Sequence, residues 1–236
     1  MCGRAYETYT EEELSIQYLN RRPLRLEPLR PNYNMAPTQQ SPVVLVRDDT
    51  RQIEQSRWGL VPVWAKSVAA AAKYSLINTR GEEIAEKRTY AKAFRHRRCV
   101  VPLSGFFEWQ RKETRKRPFA IHLRDRPIMS VAAVWERWQP TGTPEPLHSF
   151  SIVTTRANSF MVNIHDRMPV ILDEKDVELW LDPEVQEPEC VLPLVRPCPP
   201  EWLTAYEVSA AVNAPRHNSP DLLRPLADNA SDAAPR

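Results

Sequence analysis

Glycine is scarce in this chain of 236 residues: there are five, and no Asn-Gly dipeptide. A glycine-rich substrate loop therefore has nowhere to form. No apolar run approaches the ~18 residues of a membrane span, and the opening Met1-Cys2-Gly3-Arg4-Ala5-Tyr6-Glu7 lacks the apolar core of a secretory signal. A cytoplasmic protein is expected, nucleoid-associated if the source is bacterial. The four cysteines, Cys2, Cys99, Cys190 and Cys198, include no C-x-x-C pair, so neither a zinc site nor a disulfide framework is supported. With no internal repeat and no linker rich in Gly and Ser, one domain over residues 1–226 is the simplest reading. The polar, Ala-rich stretch 227–236 is expected to be a disordered tail.

Proline, by contrast, is abundant at 23 residues, about twice the usual ~5%. Many rigid loops between short elements follow, which argues against a helical bundle. Arg4 to Tyr9 reads as a strand, and Thr10 with Glu13 reads as a capping box opening a helix through Leu19. Arg30 to Thr38 reads as a loop. Val43 to Arg47 and Gln52 to Leu60 read as strands paired around a turn at Asp48-Asp49. Tyr90 to Arg98 is helical in pattern. Gly105 to Trp109, Phe119 to Leu123, Ile128 to Trp135, Ser149 to Thr155 and Met168 to Leu172 are short strand-like runs. Ala157 to Asn163 reads as a short helix, Glu174 to Leu181 as a helix capped by Asp173, and Glu201 to Val212 as a turn with one more strand. Strands outnumber helices and do not alternate with them, so the fold expected is α+β: a mainly antiparallel, curled sheet (a pseudo-barrel) with short peripheral helices.

Net charge is only +2, but it is unevenly spread. Between Arg80 and Arg126 there are 14 Lys/Arg against 6 Asp/Glu, whereas between Asp173 and Arg236 there are 5 against 13. The basic part includes Lys87-Arg88, Lys92, Arg95-His96-Arg97-Arg98, Arg111-Lys112 and Arg115-Lys116-Arg117. Such asymmetry points either to a polyanion partner or to a solvated basic face.

Cys2 stands apart from the other cysteines. Removal of Met1 leaves an α-amine and a thiol on one residue, a 1,2-aminothiol. Its amine condenses with an aldehyde to an imine, and the thiol can then close a five-membered thiazolidine, which an internal cysteine cannot do. The reference pKa of an α-amine, roughly 7.7–8.0, leaves a nucleophilic fraction near neutral pH. The alternative is an inert buried thiol.

Three other groups set a polar side chain beside apolar neighbours. Glu108 lies between Phe107 and Trp109, where aromatic surroundings would raise its pKa and suit it to proton transfer; in a regular strand it would instead face away from Phe107. His165, between Ile164 and Asp166-Arg167, is a candidate acid or base or simply a structural histidine. Asn78 is either an orienting group or a turn residue. His96, His122, His148 and His217 have no comparable setting.

Taken together, Cys2-Gly3-Arg4, Tyr33-Asn34-Met35-Ala36-Pro37-Thr38, Trp58-Gly59-Leu60-Val61-Pro62 followed by Trp64, Asn78-x-Arg80, Gly105-Phe106-Phe107-Glu108-Trp109 and Ile164-His165-Asp166-Arg167-Met168-Pro169 resemble the SOS-response-associated peptidase family, the abasic-site processing proteins. The resemblance covers residues 2 to 225, and Val208-Ser209 with Val212-Asn213 resembles the family's closing motif. Thr79 and Gly81 depart from it where alanines are common, and Asn213 to Asp221 is altered.

The resemblance implies capture of abasic sites in single-stranded DNA as a covalent DNA–protein crosslink in the DNA damage response. It makes Cys2 the amine and thiol, Glu108 the proton acceptor, His165 an acid for sugar ring opening and Asn78 the residue that holds the reacting terminus or sugar. AP-lyase activity, crosslink reversal and N-terminal self-processing are implied as side reactions. DNA binding is expected to combine phosphate contacts from Arg4, Arg80 and Arg167 with stacking by Trp64 and Trp109, with Pro37 and Thr155 lining the channel; core packing is the alternative for Trp109. A monomer acting without metal or cofactor, away from membranes, is expected. The rivals are an N-terminal-nucleophile amidohydrolase, disfavoured by the missing Asn-Gly loop, a cysteine-type peptidase, and a noncovalent single-stranded DNA-binding module.

Overall fold

The computed structural model describes residues 2–24, 26–112, 115–140 and 142–226. The expected tail from residue 227 lies outside them, as do the side chains of Arg111, Lys112 and Arg115 in the basic run. The strands are β1 (Ala5–Glu7), β2 (Asn32–Met35), β3 (Gln40–Arg47), β4 (Thr50–Trp58), β5 (Asn78–Arg80), β6 (Arg98–Leu103), β7 (Gly105–Lys112), β8 (Arg115–Leu123), β9 (Met129–Trp138), β10 (Leu147–Arg156), β11 (Arg167–Pro169), β12 (Ile171–Leu172) and β13 (Leu203–Glu207). The helices are α1 (Glu11–Leu19), α2 (Val68–Ala72), α3 (Ala91–His96), α4 (Glu174–Leu181) and α5 (Pro188–Val191).

One sheet has the order β13-β8-β7-β1-β2. The other runs β11-β10-β4-β3-β6-β9-β12, with β5 beside β10. Because β9 also pairs with β10, strands β4, β3, β6, β9 and β10 close on one another. Among the described residues, only the contacts of β10 with β4 and β5 are parallel. This is the curled, mainly antiparallel α+β architecture that the strand pattern implies.

Side chains alternate across a strand, and the wall of the closed sheet uses both faces. Val44, Val100, Ala132 and Val134 enter a cluster with Leu14, Phe94 and Trp180 of the helices. Their neighbours Val43, Leu45, Cys99, Val101, Val131 and Ala133 enter a second cluster with Cys2, Ala5, Phe106 and Ile121. Strand β6 is consequently buried along its whole length. Cys2 thus sits where the two sheets meet.

Local chemistry explains most of the boundaries. The β3–β4 hairpin turns through Asp48 and Asp49 with φ of 50° and 53°, a left-handed conformation that Asp tolerates better than most residues. Thr10 and Glu13 form the reciprocal capping box of α1, and the Asp173 side chain caps α4. The basic run divides: Arg98 is buried and donates to the carbonyls of Phe94, Arg95, Trp180, Asp182 and Val185, closing the ends of α3 and α4. Lys87, Arg88, Lys92 and His96 stay exposed.

Three segments differ from their sequence pattern. The loop expected at 30–38 contains β2, which pairs with β1. The helix expected at 157–163 is only a 3-10 turn, Met161–Asn163. Asn158 caps the turn and sets its late start: its Oδ1 accepts from the Met161 amide at 2.9 Å while its Nδ2 donates to the Cys198 carbonyl at 2.9 Å, so helical bonding begins only beyond residue 158. The strand expected at 168–172 is two short ones, because Val170 donates to Val153 and accepts from Ala132. The segment passes there from β10 to β9.

Candidate active site

Residues 2–4 run into β1, which lies along β7: the Phe107 amide donates to the Arg4 carbonyl at 2.9 Å. The approach is close because residue 105 is glycine. A Cβ there would fall 2.2 Å from Tyr6 Oη, so any other residue would displace the Tyr6 ring that packs on Phe107. Cys2 is buried, 1% exposed, with Sγ 3.9 Å from the Arg4 carbonyl. Burial, reinforced by the negative charge of Glu108, raises its thiol far above the ordinary value. The thiol is therefore protonated at neutral pH, and its use as a nucleophile needs a base.

Asn78 opens β5, which is held parallel to β10 through Ile152. The preceding residue is fixed by Trp58, fully buried and donating its indole N–H to the Ile77 carbonyl at 3.0 Å. From there Asn78 Nδ2 donates to the Cys2 carbonyl at 2.6 Å. Its Oδ1 is buried with no partner among the described residues, an acceptor open to a further donor.

Glu108 is 4% exposed. Its burial does not come from Phe107 and Trp109, because in β7 these alternate to the opposite face. Phe107 and Trp109 belong to a cluster with Tyr6, Val208 and Val212, whereas Phe106 shares the cluster of Cys2. Glu108 is thus on the Cys2 face, close enough for its charge to act on the thiol.

His165 lies between the Met161–Asn163 turn and β11. Gln110, on the Glu108 face of β7, donates to the Asn163 carbonyl at 2.7 Å, and Ile164 packs against the Cys2 cluster. The Arg167 amide donates to His165 Nδ1 at 3.0 Å, while Asp166 Oδ1 lies 2.9 Å from the same nitrogen. These contacts require opposite states of Nδ1. The backbone donor is fixed by pairing with β10, whereas the Asp166 side chain is 85% exposed and can turn into water. The fixed backbone donor therefore makes Nδ1 an acceptor and leaves Nε2 as the ring N–H that can donate a hydrogen bond.

The other candidate residues divide by exposure. The Arg80 side chain is 60% exposed, with a 3.8 Å contact to Glu83. Trp64 is half exposed and meets Tyr74 edge to face at 5.7 Å. Pro37 is half-buried in the turn after β2. Arg4 braces the C-terminal segment: its Nη1 donates to Asn34 Oδ1 at 2.9 Å and to the Val212 carbonyl at 2.8 Å. Trp109 Nε1 donates to Asn213 Oδ1 at 2.8 Å. Thr155 is buried, with its hydroxyl 3.5 Å from Glu82. The Arg167 side chain is 12% exposed, and its guanidinium forks onto both Glu82 oxygens at 2.8 and 2.9 Å.

Two residues of the site escaped the sequence pattern. Asn34, 1% exposed, donates to the carbonyls of Ala214 and His217 at 3.0 and 2.8 Å and so clasps the segment over Arg4. Glu82, four residues after Asn78, is the partner of Arg167; an acid beside a basic run reads as surface until the fold brings the two together.

Comparison with known proteins places this geometry in context. The model of the SOS response associated peptidase (SRAP) family matches residues 1–215. The abasic site processing protein YoqW of Bacillus subtilis is 35% identical over 227 residues, covering 94% of this chain and 99% of the relative. The abasic site processing protein HMCES of Xenopus tropicalis is 30% identical over 244 residues, covering 92% of this chain and 72% of the relative. A crystal structure of a Bacteroides thetaiotaomicron protein superposes with a TM-score of 0.85 at 27% identity, covering 96% of this chain and all of the other.

Proposed function

The chain belongs to the SOS response associated peptidase (SRAP) family, and from that premise we propose that it captures abasic sites in single-stranded DNA as a covalent adduct on Cys2. The observation that carries the reading is the pairing of a Cys2 main chain held by Asn78 with a neutral thiol under the influence of Glu108.

Removal of Met1 frees the α-amine. The abasic deoxyribose opens as the proton of its anomeric hydroxyl passes to its ring oxygen, with His165 Nε2–H hydrogen-bonded to that oxygen as its charge develops. The Cys2 amine adds to the aldehyde carbon and water leaves, giving an imine. Glu108 takes the thiol proton, sulfur bonds to the imine carbon, and nitrogen takes a proton. The net change is one thiazolidine formed and one water released. Asn78 Oδ1 accepts from the amine while its Nδ2 holds the adjacent carbonyl.

Diversion of the imine by loss of a proton at the neighbouring sugar carbon gives β-elimination, so AP-lyase activity is a side reaction of the same centre. Reversal of the adduct uses the same groups by microscopic reversibility. N-terminal self-processing is the peptidase-like activity proposed here.

For binding, we propose Arg80 as a phosphate contact, Trp64 as a base-stacking group and Pro37 as part of the channel wall. Arg4 and Trp109 act by holding the C-terminal segment at its edge.

The test is a denaturing gel. Wild-type protein gives a band resistant to heat and SDS with abasic single-stranded DNA only, and the band disappears in Cys2→Ala and in protein extended ahead of Cys2. Equal reaction of unmodified strands, or normal reaction of the extended chain, sinks the aminothiol mechanism. Tight binding by both wild type and Cys2→Ala with no surviving adduct identifies a noncovalent DNA-binding module instead.

A further inference from the structure

Asn78 and His165 are carried on opposite edges of one strand. On one edge β5 is parallel to β10, with Asn78 against Ile152 and Arg80 against Thr154. On the other, β11 is antiparallel to it, with Arg167 against Arg156 and Met168 against Thr155. Neither carrier pairs with the other, and each is only three residues long. Such short strands fray readily unless side chains fasten them.

A polar chain crosses β10 and does this. Thr154 Oγ1 donates to the Thr79 carbonyl at 3.0 Å, in the residue next to Asn78. Arg167 Nη2 donates to the same hydroxyl at 3.1 Å and to the Thr154 carbonyl at 2.8 Å. The Arg167 guanidinium then forks onto Glu82, which follows β5 in the 3-10 turn Gly81–Glu83. Burial alone would raise the Glu82 carboxyl, but its bonds to Arg167 hold it below the ordinary range, so it is ionised. The Arg167 side chain is 12% exposed and Glu82 36%, and a two-pronged, charge-assisted pair adds geometric specificity to its energy.

Gly81 permits the approach. A Cβ at that position would lie 2.2 Å from Val195 Cγ1 and 2.9 Å from Val153 Cγ1, lifting the turn and Glu82 off the sheet. The backbone of Arg167 completes the link, since its amide is the donor that sets the His165 tautomer.

We infer that Glu82 is a positioning residue: through the Arg167 fork it locks the Asn78 strand and the His165 turn into one frame across β10 and holds the His165 proton on Nε2. The consequence for rate rests on the crosslinking function proposed above, but the consequence for the tautomer does not.

The variants are Glu82→Ala, which removes the fork, and the isosteric Glu82→Gln, which keeps an acceptor without the charge. Two measurements are made on each. Nitrogen-15 NMR of the imidazole in DNA-free protein reads the tautomer, and crosslinking at saturating abasic single-stranded DNA is compared with noncovalent affinity for the same strand bearing a reduced, unreactive abasic residue. The expected result is a rate loss of about ten- to a hundred-fold in Glu82→Ala, as for a small misplacement of reacting groups. Glu82→Gln should be intermediate, affinity should stay within about two-fold, and the population of Nδ1–H His165 should rise. If Glu82→Ala does not fold, Glu82→Gln decides by the same criteria. An unchanged tautomer with an unchanged rate overturns the inference, and so does a loss of affinity equal to the loss of rate, which would make Glu82 and Arg167 ligands of DNA. If wild-type protein forms no adduct, the crosslinking function fails while the tautomer measurement still decides the role of Glu82.

Discussion

Asn78 Nδ2 donates to the Cys2 carbonyl across 2.6 Å, joining residues 76 positions apart in the chain. The bond orients Cys2 without engaging its thiol or nitrogen, the atoms that the proposed chemistry uses. It therefore separates holding from reacting.

Replacing Asn78 by Ala should leave binding of unmodified single strands within about two-fold and lower the crosslinking rate by about ten- to a hundred-fold. Asn78→Asp should be worse than Ala, because a carboxylate facing the Cys2 carbonyl and lying near Glu108 adds repulsion. Single-turnover crosslinking against noncovalent affinity measures the split, and a proportional loss of both would contradict it.

Glu7 gives a pH signature unrelated to DNA. It is buried beside Ser41, whose hydroxyl donates to Oε1 at 2.5 Å, and burial pushes its pKa from 4.5 up to about 8. A folded pKa above the unfolded one means that the folded state binds the proton more tightly. This contribution to stability is full below about pH 4.5 and is lost as pH rises to about 8. Glu7→Gln should therefore match wild type near pH 4 and exceed it by up to a few kcal/mol at pH 8 and above. Urea unfolding at the two pH values checks this; an equal difference at both would mean that Glu7 does not titrate on folding.

Gly81→Ala should destabilise the protein by about 1–3 kcal/mol, the usual penalty of overpacking, because its Cβ would lie 2.2 Å from Val195 Cγ1. Pairing it with Val195→Ala should recover most of the loss. Thermal melts of the single and double variants measure the coupling, and additive losses would show that the clash is not the cause.

Arg80 is the exposed cation nearest in sequence to Asn78, so it should carry one phosphate. Arg80→Gln should weaken noncovalent binding to single strands and reduce the slope of log affinity against log salt by about 0.7, the value for one contact. A titration between low and moderate salt reads this, and an unchanged slope removes Arg80 from the interface.

Much of this was legible in the chain because it depended on local chemistry. The capping box at Thr10 and Glu13, the Asp48-Asp49 hairpin and the Asp173 cap are written in adjacent residues and appear in the fold. Where long-range contacts outweighed local preference, the pattern misled. Asn158, tied to the Cys198 carbonyl, caps the Met161 amide and so delays the helical turn past the start that the pattern implies. Residues 32–35 become a strand because β1 offers them an edge. Aromatic neighbours in sequence do not enclose Glu108, since strand geometry turns them to the far face.

By itself the sequence determined the chemical types: a cysteine at position 2, an amide, a carboxylate and an imidazole, in the order shared with a family. The tertiary structure alone decided their surroundings and partners. The thiol is neutral because two sheets bury it beside Glu108, and His165 is assigned its tautomer because pairing across β10 fixes the Arg167 amide. Arg167 faces Glu82 because two short strands flank the same third one. Protonation and pairing depend on solvent exclusion and on distances between residues far apart in sequence, and those exist only once the chain has closed.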